Sequence, residues 1–474
     1  MLGPYASPKI PSLWLAAVLG LCSVASAQFE TRGSFPALAG SGPVSIAVGD
    51  FNHDGKLDLA VVSFCCASSG VSILLGNGDG TFQRAVDYAA GDQPVSIVAV
   101  DLNHDGNLDL AVANSLSTYL SILFGNGDGT FQPATQSPPL LTETAFVTTG
   151  DFNGDGKPDL VALGYNTISV LLGNGDGTFQ NPVATQPSFS VESIGAGDFN
   201  RDGKLDLATA GTFGSNSSIN ILLGNGDGTF RYGASYPSET SPESIAVADF
   251  NGDHKLDLAI ANSEGGSISV LLGNGDGTFQ PAVDCLAPTP VFVTAADMNG
   301  DHKPDLVVAN GLFAPGAYVF MGNGNGTFQT PTFYPVGRQV SYVAVGDFNR
   351  DGRKDIAVAD YLGYAAVVLL NTGGVTFSPT TPLTFKKQAV GTTSAAQTVT
   401  LTNTGKTALI LSSMKATGQF GMTSTCGASV APAANCTISV TFSPKTKGSK
   451  SGTVTINDSA SSKPQVIELS GSGS

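Results

Sequence analysis

Histidine is nearly missing from this chain. Its four copies, His53, His104, His254 and His302, all fall inside acidic segments of one kind. No histidine remains to serve a Ser-His-Asp triad or a His-ligated metal centre. Tryptophan occurs once, as Trp14. A sugar-stacking role would therefore fall to tyrosine and phenylalanine, and most phenylalanines stand at repeated positions that suggest packing. Basic residues are scarce as well, 22 against 38 acids, for a formal charge of -16. Residues 28–379 carry 36 acids and 13 bases, whereas 380–474 carry 2 acids and 8 bases. So acidic a body does not seek nucleic acid; its natural counter-charge is a metal cation. After the N-terminus there is no apolar run of the ~18 residues that a membrane helix needs.

The first 27 residues read as a secretory signal peptide. Lys9 precedes the apolar run "LWLAAVLGLCSVASA", and Ala25 and Ala27 form an A-x-A cleavage pattern ahead of Gln28. A lipid-anchored reading on Cys22 is disfavoured by bulky Leu21 before it. The mature protein is expected to be exported, as a secreted or cell-surface protein without a transmembrane segment.

What the chain has in abundance is repetition. An acidic segment, "DFNHDGKLD" at its first occurrence, occurs seven times, at intervals of 51, 50, 47, 51, 48 and 50 residues. A second landmark, "LGNGDGTF", ends at Phe82 and recurs in varied form ending at Phe131, Phe179, Phe230, Phe279, Phe328 and Phe377. Between them lie short runs rich in Val, Ile and Leu, bounded by Gly, Asn and Asp, which read as strands. About four strands per unit, seven times over, predict an all-β fold: a seven-bladed β-propeller over residues 28–379. "NGDG" supplies a hairpin turn. An eighth "TF"-like strand at Gln28–Leu38 is expected to join the last blade and close the ring.

All seven acidic segments keep D-x-N-x-D-x-x-x-D. Position 1 is Asp50, Asp101, Asp151, Asp198, Asp249, Asp297 and Asp347. Position 3 is Asn52, Asn103, Asn153, Asn200, Asn251, Asn299 and Asn349. Position 5 is Asp54, Asp105, Asp155, Asp202, Asp253, Asp301 and Asp351. Position 7, offering its backbone carbonyl, is Lys56, Asn107, Lys157, Lys204, Lys255, Lys303 and Arg353. Position 9 is Asp58, Asp109, Asp159, Asp206, Asp257, Asp305 and Asp355. Carboxylates, an amide and a carbonyl make an all-oxygen donor set, which is calcium chemistry, and no soft ligand for zinc or copper accompanies it. Two like charges ~4 Å apart repel by roughly 4 kcal/mol at an effective dielectric near 20, so three acids in one loop call for a cation. Up to seven calcium ions are expected. An EF-hand is excluded, since position 12 is Val61, Val112, Ala162, Thr209, Ile260, Val308 or Val358 instead of glutamate, and strands flank the loop. His254 and His302 replace glycine at position 6, and those two loops are expected to bind more weakly. The aspartates of "NGDG", such as Asp79 and Asp128, read as turn residues; Asn325 replaces one.

On these motifs residues 28–379 resemble the FG-GAP/VCBS repeat, which also builds the head of integrin α subunits. The resemblance implies a seven-bladed propeller with calcium in the blade loops at one face. In integrins, partners dock on the opposite face.

Residues 380–474 read as a second all-β domain, an immunoglobulin-like sandwich built from "QTVTLTN", "ALILSSM", "CTISVTFSP" and "SGTVTIND". "LTNTGKTALILSS" and "FSP" resemble the ASPM-SPD-2-Hydin (ASH) family, which implies a spacer or attachment module. Cys426 and Cys436 are spaced for a disulfide. Cys65 and Cys66 form either a vicinal disulfide or two thiols, and Cys285 is expected to be unpaired. The function these features point to is a secreted, calcium-bearing platform for an extracellular protein or glycan. Two alternatives stand beside it: a polysaccharide lyase or hydrolase using face carboxylates, and a lectin. No spacing marks a catalytic pair among the carboxylates outside the loops and turns, such as Asp87, Asp284, Glu143, Glu192, Glu239, Glu243 and Glu264.

Overall fold

The computed structural model describes residues 29–38, 41–64, 69–164, 166–187, 190–213, 216–311, 314–350, 352–371, 375–378, 383–403, 408–458 and 464–474. The expected signal peptide, Cys65, Cys66 and Asp351 lie outside the described residues.

Seven four-stranded antiparallel sheets follow one another along the chain. The first blade consists of Gly42–Gly49, Asp58–Phe64, Gly70–Leu74 and Val86–Tyr88, from inside outward. Each blade's first strand packs on the first strands of its two neighbours, and Gly42–Gly49 meets Val340–Gly346 of the seventh blade, so the ring closes. The seventh blade takes its outer strand from the other end of the chain. Phe29–Pro36 pairs antiparallel with Ala365–Asn371, from Phe29↔Asn371 to Pro36↔Ala365. Closure by the eighth "TF"-like strand is therefore present.

The second strand of each blade explains why the pattern is apolar throughout instead of alternating. Asp109–Asn114, Asp257–Asn262 and Asp355–Asp360 are buried at every position, because both blade faces pack on neighbours. The cores accordingly lie between blades. One joins Ala60, Val62, Val71 and Ile73 of the first blade to Ile97, Leu110, Val112 and Leu123 of the second. Each fully buried Val, Leu or Ile is worth about 1.5–3 kcal/mol, so blade stacking, not any single blade, carries the stability.

The C-terminal part is a two-sheet sandwich. One sheet orders Val375–Ser378, Gln397–Asn403, Asn435–Phe442 and Phe420–Ser424. The other orders Leu383–Thr384, Gln465–Gly473, Gly448–Asp458, Leu409–Ala416 and Ser429–Val430. The strand holding Phe377, the last "TF" landmark, thus hydrogen-bonds into the sandwich, ahead of the expected division at 379/380. The reason is burial: Val375 and Phe377 pack in the sandwich core with Leu401 and Ile438. Cys426 and Cys436 are bonded, with Cα atoms 5.0 Å apart. Cys285 is free, and burial pushes its thiol up.

Candidate metal centre and the inter-blade lock

Every acidic loop joins the first strand of a blade to the second, so all seven stand at one end of the ring. Within the first loop the Asp54 amide donates to Asp50 Oδ1 (3.2 Å) and to Asn52 Oδ1 (3.1 Å). One N–H thus gathers the oxygens of positions 1 and 3. The Gly55 amide donates to Asp50 Oδ2 (2.8 Å) and the Lys56 amide to Asp54 Oδ1 (3.0 Å). The same bonds recur in the loops beginning at Asp101, Asp151, Asp198, Asp249 and Asp297.

The bend needs left-handed backbone twice per loop. At position 6 glycine supplies it in Gly55 and its counterparts, while His254 and His302 adopt φ of 61° and 64°. At position 4 it is adopted by His53, His104, Arg201 and Arg350. The two loops with histidine at position 6 carry glycine at position 4, Gly252 and Gly300, so each of them has one strained residue.

Position 9 has a role that the ligand pattern alone did not reveal. Asp58, Asp109, Asp159, Asp206, Asp257, Asp305 and Asp355 are fully buried. In each, one carboxylate oxygen accepts the amide of position 2 (Phe51, Leu102, Phe152, Phe199, Phe250, Met298 or Phe348) at 2.8–3.0 Å. The other accepts an amide at the start of the "NGDG" hairpin (Gly76, Gly125, Gly173, Gly224, Gly273, Gly322 or Asn371) at 2.7–2.8 Å. A Cβ on Gly76 would collide with the Leu57 carbonyl oxygen, which is why the hairpin opens on glycine.

Burial, with smaller contributions from the acids at positions 5 and 1, pushes Asp58, Asp109 and Asp257 up to about 6 and Asp305 to about 7. Asp159 and Asp206 are raised for the same reason. Asp54, Asp105, Asp155 and Asp253 at position 5 move the other way. The Lys56 ammonium, 2.8 Å from Asp54, holds that carboxyl below its ordinary value. Lys157, Lys255 and Lys303 pair likewise with Asp155, Asp253 and Asp301, at 3.4, 3.0 and 3.6 Å. In these four loops the position-7 lysine is thus a counter-ion supplied by the loop, while its carbonyl was the expected ligand.

The residue at position 2 locks blade to blade. Its carbonyl accepts a hairpin amide of the next blade. Gly80 donates to Phe348, and Gly129, Gly177, Gly228, Gly277 and Gly326 donate to Phe51, Leu102, Phe152, Phe199 and Phe250, all at 2.9–3.2 Å. At the remaining interface Asn371 Nδ2 donates to Met298 O at 2.7 Å. The position-2 ring also meets the "TF" phenylalanine of the next blade edge-to-face, as in Phe51–Phe131 and Phe250–Phe328, both with centroids 5.5 Å apart. His53 Nε2 reaches Asn107 Oδ1 of the next loop at 2.9 Å.

The donor chemistry fits a hard divalent cation: all side-chain donors are oxygens, and positions 1 and 3 converge on one amide. The acids themselves are spread over the loop's own amides and lysines. Among the described residues no three His, Cys, Asp or Glu side chains are already gathered around one point. Bringing Asp54, Asp155, Asp253 or Asp301 onto a shared ion therefore means releasing its lysine.

The "NGDG" aspartates serve the turn. The amide of Thr81 donates to Asp79 Oδ1 and that of Thr130 to Asp128 Oδ1, both at 2.9 Å. Thr327 makes the same bond to Asn325 Oδ1 at 3.1 Å. Asn325 makes the same bond without a charge, so the oxygen suffices for the turn. Asp128→Asn should accordingly leave the midpoint of urea denaturation where it is, as an ordinary surface change does; a clear fall in the midpoint would refute the turn-only role.

Outside the loops, Glu243 stands in a cleft with Glu264, Thr289 and Gln339, at the end of the ring away from the acidic loops. Glu243 is exposed to the cleft; desolvation by its walls, with Glu192 and Glu264 adding to it, pushes the carboxyl up, and the Ser263 hydroxyl donates to it at 2.9 Å.

Seven closed blades with a repeated D-x-N-x-D loop define a repeat propeller, and comparison gives the class its family. Residues 62–112, 104–162, 151–209, 198–260, 249–308 and 297–358 match the FG-GAP-like repeat, and residues 42–63 match the FG-GAP repeat. The chain belongs to the FG-GAP-like repeat family, and residues 375–466 match the ASH domain (Abnormal spindle-like microcephaly-assoc'd, ASPM-SPD-2-Hydin). No curated protein matches the chain. Similar solved structures include an Agrocybe aegerita lectin described for specific recognition of non-reducing terminal N-acetylglucosamine. It is 22% identical, with 62% of this chain and 80% of the lectin covered and a TM-score of 0.45. Another is a 6-phosphogluconolactonase candidate from Bacteroides fragilis NCTC 9343. It is 16% identical, covering 65% of this chain and 88% of that one, with a TM-score of 0.49. Among the described residues no helix is long and apolar enough to cross a membrane.

Proposed function

We propose that the protein is an exported, calcium-bearing propeller that serves as a binding or adhesion platform for an extracellular protein or glycan. The observation that carries this reading is the coupling of each acidic loop to the next blade through its position-2 carbonyl and, in the five loops with phenylalanine there, through its ring. An ion held by positions 1, 3, 5 and 9 and the position-7 carbonyl would neutralise the loop's acids. The same loop holds the blade–blade contact, so calcium's role is structural. A ring stiffened at one end keeps the connections at the other end in place for a partner.

Native mass spectrometry of the mature chain tests the metal assignment. Titration with calcium should add successive ions up to seven. The loops at Asp249 and Asp297 carry one left-handed non-glycine residue each, as do those at Asp50, Asp101, Asp198 and Asp347, so the weaker binding expected of those two has no support from backbone strain. A chain that binds none at millimolar calcium would sink the proposal.

One observation favours a second reading, a carboxylate-based carbohydrate enzyme: the raised carboxyl of Glu243 lies in an open cleft. Release of soluble product from polysaccharides, abolished by Glu243→Gln, would support that reading over the platform.

A further inference from the structure

Two crevices on the rim of the ring have the same construction. One lies between the first and second blades, with a volume of about 470 Å³; the other lies between the fourth and fifth, at about 430 Å³. Both fall within the ~300–1,000 Å³ range of small-molecule sites.

In each, a tyrosine from the outer strand of the leading blade forms a wall. Tyr88 and Tyr236 are held there twice over. Their hydroxyls accept the amides of Phe131 (3.2 Å) and Phe279 (2.6 Å). Their rings meet those same phenylalanines edge-to-face, with centroids 5.7 and 6.0 Å apart. The facing blade supplies a serine and its cross-strand partner: Ser121, which accepts from Asn114 Nδ2 at 3.1 Å, opposite Gln136 in one crevice, and Ser269, whose hydroxyl donates to Asp284 at 2.6 Å and fixes that carboxylate, in the other. A Pro-Ala step, Pro133–Ala134 or Pro281–Ala282, forms the rim. Tyr119 and Asp87 complete the first crevice, and Glu239 the second. No lysine or arginine lines either one among the described residues.

We propose that these two crevices bind neutral or amino-bearing saccharide units of a glycan, an assignment that rests on the platform reading above and names its ligand. The chemistry is that of a pyranose. Its C–H face packs on a fixed aromatic ring, and its hydroxyls exchange hydrogen bonds with carboxylate, amide and serine groups at the edge. Acids without any base turn away phosphate, sulfate and uronate, and favour uncharged or cationic sugars. The crevices stand three blades apart, on nearly opposite sides of the ring. A surface dense in glycan can fill both, and such bivalence multiplies avidity by ~10²–10⁴ over one site.

The test uses the full mature chain in calcium on an array of neutral, amino-sugar and anionic oligosaccharides. The variants are Ala134→Trp and Ala282→Trp, which fill the crevices at exposed positions. Retention of neutral or amino-sugar glycans is expected. Each single variant should lower avidity at least about tenfold, and the double variant should abolish it, with melting unchanged. If the double variant binds the same glycans as strongly as the parent, the crevices are not the site and the platform reading stands with its ligand elsewhere. If no saccharide is retained while calcium still binds the loops, the crevice assignment falls alone. Binding confined to anionic glycans overturns it as well.

Discussion

Asp257→Ala should cost the ion-free protein about 2–6 kcal/mol at pH 5. The carboxyl accepts the amides of Phe250 (2.8 Å) and Gly273 (2.7 Å) at a site with no solvent exposure. Alanine orphans both, and each buried unsatisfied donor costs about 1–3 kcal/mol. The loss spreads to the next blade, because Phe250 also packs on Phe328 and its carbonyl accepts the Gly326 amide. The pH matters. Burial pushes Asp257 up to about 6, so at pH 5 the wild-type carboxyl is mostly protonated and alanine gains nothing by discarding a charge. At pH 7.5 the wild type also bears a buried charge, and the measured loss should shrink by about 1 kcal/mol or more. Asp257→Asn keeps one acceptor oxygen and should lose roughly half as much as alanine at pH 5. Urea denaturation in chelator reads all three quantities. An alanine variant within ~0.5 kcal/mol of wild type at pH 5 would show that position 9 serves only as a ligand.

The contrast between positions 1 and 9 shows what the sequence could reveal and what it could not. Spacing alone identified Asp50 and Asp58 as members of one loop, since both recur seven times in fixed register. It could not separate an acid facing the loop's own amides from one buried beneath the strand. That distinction depends on the Gly76 amide, which lies in another hairpin of the same blade. Ring closure was legible because an odd "TF" strand at the N-terminus needed a blade. The same odd strand takes the place of the Phe377 copy in the last blade, so its exit toward the tail was legible as well; its partner there was not, because packing against Leu401 and Ile438 decides it. The paired crevices were invisible for a related reason. Tyr88 and Tyr236 lie 43 residues before the phenylalanines whose amides they accept, a spacing that becomes a contact only once blades stack.

Calcium should invert the pH dependence of melting. In chelator the sign follows from the raised carboxyls at position 9. A group whose folded value lies above its unfolded one contributes stability that is fully present below about 3.8 and is lost as pH rises through 6 to 7. Lowering the pH from 7.5 to 5 should therefore stabilise the ion-free ring, by on the order of 1 kcal/mol per loop. Asp54, Asp105, Asp155 and Asp253 at position 5 pull in the opposite direction, since their values are lowered. Their contribution is lost only as pH falls below about 3.8, outside this window. With calcium in excess the balance changes. An ion that binds only the folded loop adds about 2.7 kcal/mol per site at a hundredfold excess over its dissociation constant, more than the proton recovers. Protons compete with the ion for the same carboxylates, so calcium's contribution fades as pH falls. Melting curves at pH 7.5 should thus separate widely between calcium and chelator, and those at pH 5 should converge, with the chelated midpoint rising and the loaded one falling. Curves that coincide at pH 7.5 would mean that seven loops of clustered acid are balanced by their own lysines and amides alone.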